Sequence, residues 1–165
     1  MRRTPTSNYG RFLSHVESQY QLGFNDYAQC HQWSIDHPSD FWQSIATFFE
    51  VTFDQPFDKA VISARPFWKT QWFPKAQLSY ASHVFRHFNN DRPALIYQSE
   101  NHPYTEISWA ALLSKVVAFQ KLLSQHGVSK GDRVVALCAN TPEAVAAFLA
   151  TNSLGAIWSS CSPDF

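Results

Sequence analysis

The sequence is poor in glycine and has no surplus of charge of either sign. It contains five glycines in 165 residues, and neither of the glycine-rich phosphate-binding loops, GxGxxG or GxxxxGK(S/T), occurs in it. Its 13 basic and 13 acidic side chains cancel. A protein that binds nucleic acid electrostatically needs a basic surplus to neutralise phosphates. We therefore expect no nucleic-acid partner.

Long apolar runs are also absent. No stretch approaches the roughly 18 apolar residues that a membrane span requires. Arg2 and Arg3 are not followed by an apolar segment, so the N-terminus does not resemble a signal peptide. These absences predict a cytoplasmic protein with no membrane partner.

Cysteine is rare, and the cysteines do not occur in closely spaced pairs. Cys30, Cys138 and Cys161 are odd in number, far apart, and form no CxxC motif. A disulfide framework or a zinc site usually needs paired or closely spaced cysteines. We expect three reduced, buried thiols in a cytosolic protein.

Aromatic residues, by contrast, are abundant. Hydrophobic residues make up 45% of the sequence, charged residues 16% and aromatic residues 16%, a composition typical of a globular chain. Most of the aromatics precede residue 90. Because aromatic side chains bury large areas, this segment is predicted to pack against something substantial.

The first 90 residues show helical patterns separated by proline- and aromatic-rich connectors. Ser7 or Asn8 can cap the first helix, which should end near Gly23. His37-Pro38-Ser39 supplies a stop and a new start. The spacing of apolar residues predicts helices at 9–20, 27–33, 41–49 and 81–89, and one strand at 60–63 within an extended connector at 54–74.

After residue 90 the pattern becomes that of an α/β protein. Ser108 and Gly127 are the expected cap and stop of the clearest helix in the chain. Thr141 is predicted to cap the next helix, with Pro142 in its first position. The predicted elements are a hairpin of strands 94–98 and 104–107, a helix at 109–123, a strand at 133–138 buried on both faces, a helix at 143–153 and a strand at 156–160.

The last three of these elements form one βαβ unit, which should be parallel and right-handed. One crossover with one hairpin leaves sheet edges unpaired and one sheet face uncovered. We therefore expect the chain to have been cut inside a larger α/β domain. The predicted organisation is a helical, aromatic-rich region at 1–90 followed by the start of an incomplete domain at 91–165.

Ligands of parallel sheets bind outside the carboxyl ends of the strands. Two such ends are predicted, one at Asn140 and Thr141 and the other at residues 161–165. Asn140 and Thr141 have an alternative role, since turning and capping alone explain both residue types.

Other chemistry has weaker support. His83 and His87 are spaced like a zinc-binding pair, but no glutamate follows His83 as in HExxH and no third ligand is evident. Cys161 lies among serines, yet no histidine is placed to act as its base. We expect no metal site and no catalytic residue in the chain.

Several strings in the sequence resemble those of adenylate-forming acyl-CoA synthetases. WFPKAQLSYA at 72–81 is similar to the segment that opens the adenylating domain, although Lys75 and Ser79 stand where glycine and asparagine are usual. The pairs at 33–34 and 41–42 resemble the WS…FW pair of acetyl-CoA synthetase N-termini. GAIWSSCSPDF at 155–165 is similar to the string of the acetoacetyl-CoA synthetase branch.

This resemblance implies a two-step ligase that uses ATP and Mg²⁺ to make an acyl-adenylate and then transfers the acyl group to coenzyme A. The implied substrate is acetoacetate, and the implied fold places 91–165 at the start of the AMP-binding domain. Ser162, Pro163 and Asp164 align with positions along the coenzyme A tunnel, whereas the phosphate loop, the ribose-binding aspartate and the catalytic lysine fall beyond residue 165.

Two functional hypotheses follow. In the first, the chain is an N-terminal piece of an acetoacetate–CoA ligase, inactive alone, whose partner is the remainder of its own adenylating domain. In the second, it is a non-catalytic module that binds a partner or dimerises. Open sheet edges and exposed aromatics predict self-association in either case.

Overall fold

The computed structural model describes residues 6–86, 88–89 and 91–164. Its internal contacts divide the chain into two compact units, Met1–Leu78 and Ser79–Phe165. The division into functional domains at 90/91 stays a prediction, and His87 and Asn90 lie outside the described residues.

The first unit begins with three helices, as the apolar spacing predicts. They are α1 (Asn8–Tyr20), α2 (Tyr27–Asp36) and α3 (Pro38–Phe48). Ser7 caps α1 by accepting a hydrogen bond from the Gly10 amide, and Asp26 caps α2 by accepting one from the Gln29 amide. Pro38 occupies the first turn of α3, where its missing N–H costs nothing.

These helices enclose an aromatic core. Its buried members are Phe12, Leu13, Val16, Phe24 and Cys30. Phe12 makes edge-to-face contacts with Phe41 and Phe48 of α3, at ring separations of 6.0 and 5.4 Å. Edge-to-face pairs of this kind stabilise a core beyond their buried area. The predicted apolar face of α3 is therefore explained by packing within the unit.

The rest of the first unit is a connector with a small antiparallel pair, β1 (Val61–Ile62) and β2 (Gln71–Trp72). A short 3-10 turn, Phe67–Lys69, lies between the two strands. The sequence predicted β1 but missed β2. The partner strand is two residues long, too short to show an alternating pattern, and the hydrogen bond from the Phe73 amide to the Ala60 carbonyl extends the pairing.

The second unit opens with a short helix and a hairpin. The helix α4 (Tyr80–Phe85) is capped by Ser79 and ends earlier than its predicted limit at residue 89. Strands β3 (Leu95–Ser99) and β4 (His102–Ile107) pair antiparallel, with an irregularity between Tyr97 and Ser99. The hairpin prediction is confirmed.

Two long helices supply the core of this unit. The helix α5 (Trp109–Gln125) is capped by Ser108, and Gly127 adopts φ 82° beyond its end. The helix α6 (Pro142–Ser153) packs against it. The buried side chains between them and α4 are Ala81, Leu112, Val116, Ala146, Leu149 and Ala150.

Strands β5 (Arg133–Leu137) and β6 (Ile157–Cys161) flank α6 in sequence and pair in parallel, which confirms the βαβ unit. Its handedness stays a prediction. The expectation that β5 is buried on both faces is wrong, because Val135 and Leu137 are 72% and 67% exposed. Alternate residues of β5 and β6 point to a face that no described element covers; we call Val135, Leu137 and Ile157 the outer face.

No helix in the described ranges combines the length and hydrophobicity that a bilayer span needs. This finding adds to the absence of a long apolar run in the sequence.

Candidate functional site

The carboxyl ends of β5 and β6 lie side by side. Leu137 is opposite Cys161 in the parallel register, and the Cys138 amide donates a 3.2 Å hydrogen bond to the Cys161 carbonyl. Both strands therefore deliver the following loops to one edge of the sheet, where ligands of parallel sheets bind. The predicted location of the site is consistent with this topology.

The loop after β6 is closed by its own side chains. Ser162 Oγ donates a 2.9 Å hydrogen bond to Asp164 Oδ2, and the Asp164 amide donates a 3.3 Å hydrogen bond to Ser162 Oγ. Ser162 is half-buried, while Pro163 and Asp164 are exposed. The three residues predicted to line a coenzyme A tunnel thus form one compact turn, and Phe165 lies outside the described residues.

The loop after β5 leads into the start of α6. The Thr141 amide donates a 2.9 Å hydrogen bond to the Ala139 carbonyl, and Thr141 has the extended backbone of an N-cap residue, with φ −121° and ψ 164°. Its side chain makes no capping hydrogen bond, so that part of the prediction is wrong. Instead the Thr141 hydroxyl interacts with Glu143. Pro142 is buried in the first turn, as predicted, and Asn140 is exposed.

An ion pair stands beside this loop. Lys115 Nζ of α5 lies 2.8 Å from Glu143 Oε1 in the first turn of α6. The hydrogen bond from Lys115 is the largest cause that lowers the pKa of Glu143, and the Thr141 hydroxyl contributes. The pair is 28 residues apart in sequence, which no local spacing could reveal.

The fold adds no support for a metal site at His83 or for Cys161 as a nucleophile. Within the part of the chain that is described, no three histidine, cysteine, aspartate or glutamate side chains are placed to hold a metal ion. His83 is half-buried, and His87 lies outside the described residues. The expectation of three buried thiols is wrong, because Cys30 is buried but Cys138 is half-buried and Cys161 is exposed. The Sγ of Cys161 lies 4.0 Å from the carbonyl oxygen of Ala136, its hydrogen-bond partner among the described residues.

A groove of about 810 Å³ lies in the first unit and was missed from the sequence. Its floor is apolar, and two lysines and one aspartate reach its rim. Its lining residues are Asp58, Lys59, Val61, Ile62, Ser63, Gln71, Trp72, Pro74 and Lys75. They come from both short strands and from the connector, which lacks any periodic pattern. The concentration of tryptophan and lysine at 68–75 was the available signal.

The chain matches two family models. Residues 83–165 match the AMP-binding enzyme family, and residues 27–84 match the family described as acetyl-coenzyme A synthetase N-terminus. Together these matches extend over most of the described chain, and the first includes the candidate site.

Several similar proteins are acetoacetyl-CoA synthetases. The chain is 36% identical to an acetoacetyl-CoA synthetase of Macaca fascicularis over 157 residues, which are 94% of this chain and 23% of that protein. It is 33% identical to the acetoacetyl-coenzyme A synthetase of Rhizobium meliloti (strain 1021), over 96% of this chain and 24% of that protein.

A solved structure agrees with these relatives. The acetoacetyl-CoA synthetase from Streptomyces lividans is similar with a TM-score of 0.89 and 35% identity, over 98% of this chain and 25% of that chain. The present chain therefore spans about a quarter of the length of the proteins it matches. Since the AMP-binding enzyme model accounts for half of its residues, including the βαβ unit and the loop at 162–164, the chain belongs to the AMP-binding enzyme family.

Proposed function

We propose that the chain is the N-terminal part of an acetoacetate–CoA ligase, which converts ATP, acetoacetate and coenzyme A to acetoacetyl-CoA, AMP and diphosphate. The main support is the similarity to acetoacetyl-CoA synthetases along nearly the whole chain, with a TM-score of 0.89 to one of them. The proposed chemistry activates the carboxylate of the substrate for acyl transfer. A carboxylate is a poor electrophile, and adenylation supplies AMP as a leaving group.

In this proposal the chain itself is scaffold. ATP and Mg²⁺ bind to residues outside it, because its described residues offer neither a glycine-rich phosphate loop nor a cluster of carboxylates. The buried contact between α5 and α6 holds β5 and β6 in place, and the loops at their carboxyl ends form one wall of the active site. The residues at 91–165 are the start of the AMP-binding domain, and those at 1–90 form the helical region that precedes it. The enzyme is cytoplasmic in this proposal.

The turn of Ser162, Pro163 and Asp164 is proposed to line the coenzyme A tunnel. Asp164 would repel the phosphates of coenzyme A but tolerates its neutral pantetheine arm. Ser162 Oγ and the exposed backbone of this turn offer hydrogen bonds to the amides of that arm. We therefore assign the pantetheine arm, and not the nucleotide, to this wall.

The activity is tested in the longer polypeptide. An adenylation assay that follows pyrophosphate release across short-chain acids should show the highest kcat/KM with acetoacetate. The 165-residue chain alone should release no pyrophosphate with any of them. Turnover by the chain alone would contradict the assignment of the catalytic groups to the rest of the protein, and a preference for acetate would contradict the proposed substrate.

The coenzyme A wall is tested separately in the same protein. Replacing Pro163 by Gly together with D164A loosens the turn and should raise the KM for coenzyme A severalfold. Acetoacetate-dependent exchange of pyrophosphate, which precedes coenzyme A binding, should stay unchanged. E100Q, at an exposed position outside this turn, is the matched control. An equal loss in both half-reactions would contradict the assignment of this turn to the coenzyme A tunnel.

The outer face favours a second candidate function. Val135, Leu137 and Ile157 are 72%, 67% and 55% exposed, which suits a module that binds a partner or self-associates. Sequencing the encoding gene discriminates the two. An open reading frame that continues past residue 165 for several hundred codons supports the ligase, and a stop codon there supports the module.

A further inference from the structure

Charge is segregated along the first unit, although the whole chain is neutral. Between Arg11 and Lys59 the sequence has no lysine or arginine. Its seven acidic residues there are Glu17, Asp26, Asp36, Asp40, Glu50, Asp54 and Asp58. From Lys59 to Asn90 the pattern reverses, with no aspartate or glutamate and five cations, namely Lys59, Arg65, Lys69, Lys75 and Arg86. Opposite charges on the same unit create a strongly polarised surface.

Four cations of the connector that ends the first unit form one unpaired set. Lys59, Arg65, Lys69 and Lys75 are all exposed, and none forms an ion pair or a side-chain hydrogen bond with a described residue. Lys59 and Lys75 border the groove of the first unit. Arg65 precedes the 3-10 turn, and Lys69 is the last residue of that turn. We call these four cations, with Phe67 and Trp68, the basic surface.

The aromatic residues of the basic surface are unusually open. Phe67 is 73% exposed and Trp68 is 81% exposed. Beneath them Trp72 is fixed by edge-to-face contacts with Phe67 and with Trp42 of α3, at ring separations of 6.2 and 5.6 Å. Tryptophan and arginine presented together on a rigid support are the typical anchors of protein interfaces.

An acidic counterpart lies on α2. Asp26 and Asp36 bound this helix, and neither forms an ion pair with a lysine or arginine of the described chain. Between them Tyr27 and Ile35 are 67% and 57% exposed. We call these four residues the acidic surface. It complements the basic surface in charge and, like it, presents large apolar side chains.

The two surfaces lie on different elements. Helix α3 packs against both α2 and β1 and so joins the two surfaces within one unit. We propose that the basic surface of one copy docks on the acidic surface of a second copy. If each copy contributes both surfaces, a two-fold axis closes the assembly as a dimer and places Asp26 and Asp36 of each copy opposite cations of the other. A nucleic acid or an anionic membrane would satisfy the basic surface alone and would be repelled by the acidic residues of the same unit.

The decisive experiment is a charge exchange. K59E/R65E/K69E/K75E reverses all four cations and makes both surfaces acidic, and Q32K/D36K makes both basic while it leaves the Asp26 cap in place. Each variant alone should be monomeric by sedimentation velocity. An equimolar mixture should form a heterodimer, because each reversed surface then meets its opposite. The unchanged chain should dimerise, about tenfold more weakly at ~0.5 M than at ~0.05 M salt.

Association through the outer face is the competing outcome, and its salt dependence differs, since salt does not weaken apolar contacts. All measurements are repeated in a V135T/L137T background to remove it. R92E/K121E, a double charge reversal in the second unit, is the matched control and should not change the dimer. An unchanged chain that stays monomeric at low salt, or a mixture of the exchanged variants that does not associate, would overturn the proposal.

Discussion

Lys115 Nζ lies 2.8 Å from Glu143 Oε1, which joins the first half of α5 to the first turn of α6 beside the candidate site. Both side chains are about half exposed, at 41% and 55%. Exposed ion pairs contribute little, roughly 0.2–1 kcal/mol. K115M should therefore lower the free energy of unfolding by no more than that amount at neutral pH, measured with urea. K121M, on the same helix, is the control, because Lys121 has no ionic partner among the described residues.

The pH dependence of this effect has a definite sign. The folded state lowers the pKa of Glu143 below its ordinary value of 4.5, chiefly through Lys115. The stabilisation is therefore complete above the ordinary value and is lost as the pH falls through the lowered folded value. The difference between K115M and the unchanged chain should therefore shrink as the pH falls below 4.5 and disappear once Glu143 is protonated in the folded state. A difference that is the same at pH 7 and pH 3 would show that the lost methylene packing, and not the ion pair, is responsible.

Leu112 and Leu122 offer a matched test of the core between α5 and α6. Leu112 is 2% exposed and Leu122 is 47% exposed on the same helix. L112A should cost about 2–5 kcal/mol, because it removes a buried side chain and leaves a cavity. L122A should cost well under half as much. Thermal or urea unfolding measures both, and similar losses would mean that this helix face is not the core.

The helix prediction around Ser108 is tested at its cap. Ser108 Oγ accepts a 3.2 Å hydrogen bond from the Ala111 amide and satisfies one of the free donors at the start of α5. S108A should lower the stability of the second unit by about 1 kcal/mol, whereas S108D should retain most of it. Circular dichroism during urea unfolding is a suitable measurement. Equal losses in the two variants would exclude capping as the reason for serine.

Gly155 supplies a test of backbone geometry after α6. It adopts φ 69°, and a Cβ atom there would lie 3.1 Å from Lys130 Cγ. G155A should therefore destabilise the chain by about 1 kcal/mol or more. Gly23 has open space around it and no positive φ, so G23A should be neutral or slightly stabilising. Destabilisation of the same size at both positions would argue against strain at Gly155.

The elements with strong local signals were predictable. Helix α5 combines a serine cap, an apolar repeat over four turns and a terminal glycine, and each of these acts within a few residues. The parallel pairing of β5 and β6 follows from the intervening helix, because a crossover of that length returns the chain in the same direction. The carboxyl edge of the sheet as the place of the site is inferred from this pairing and stays a prediction.

The features that escaped prediction depend on distant partners. The apolar sequence of β5 indicates what the strand would bury, but not whether anything covers Val135 and Leu137. Strand β2 exists because β1 lies beside it, and the Lys115–Glu143 pair joins residues on two helices. Thr141 has the residue type and backbone of a cap, yet its side chain makes no capping hydrogen bond, which composition does not reveal.

The outer face has a consequence for synthesis of the protein. In a polypeptide as long as its relatives, the three-quarters that follow this chain emerge later from the ribosome. At roughly 5–20 residues per second, this interval is on the order of a minute. Throughout it, Val135, Leu137 and Ile157 remain open on an already paired β5 and β6. The nascent chain should therefore depend on a chaperone that holds short apolar strands, and this dependence should fall when the outer face is made polar.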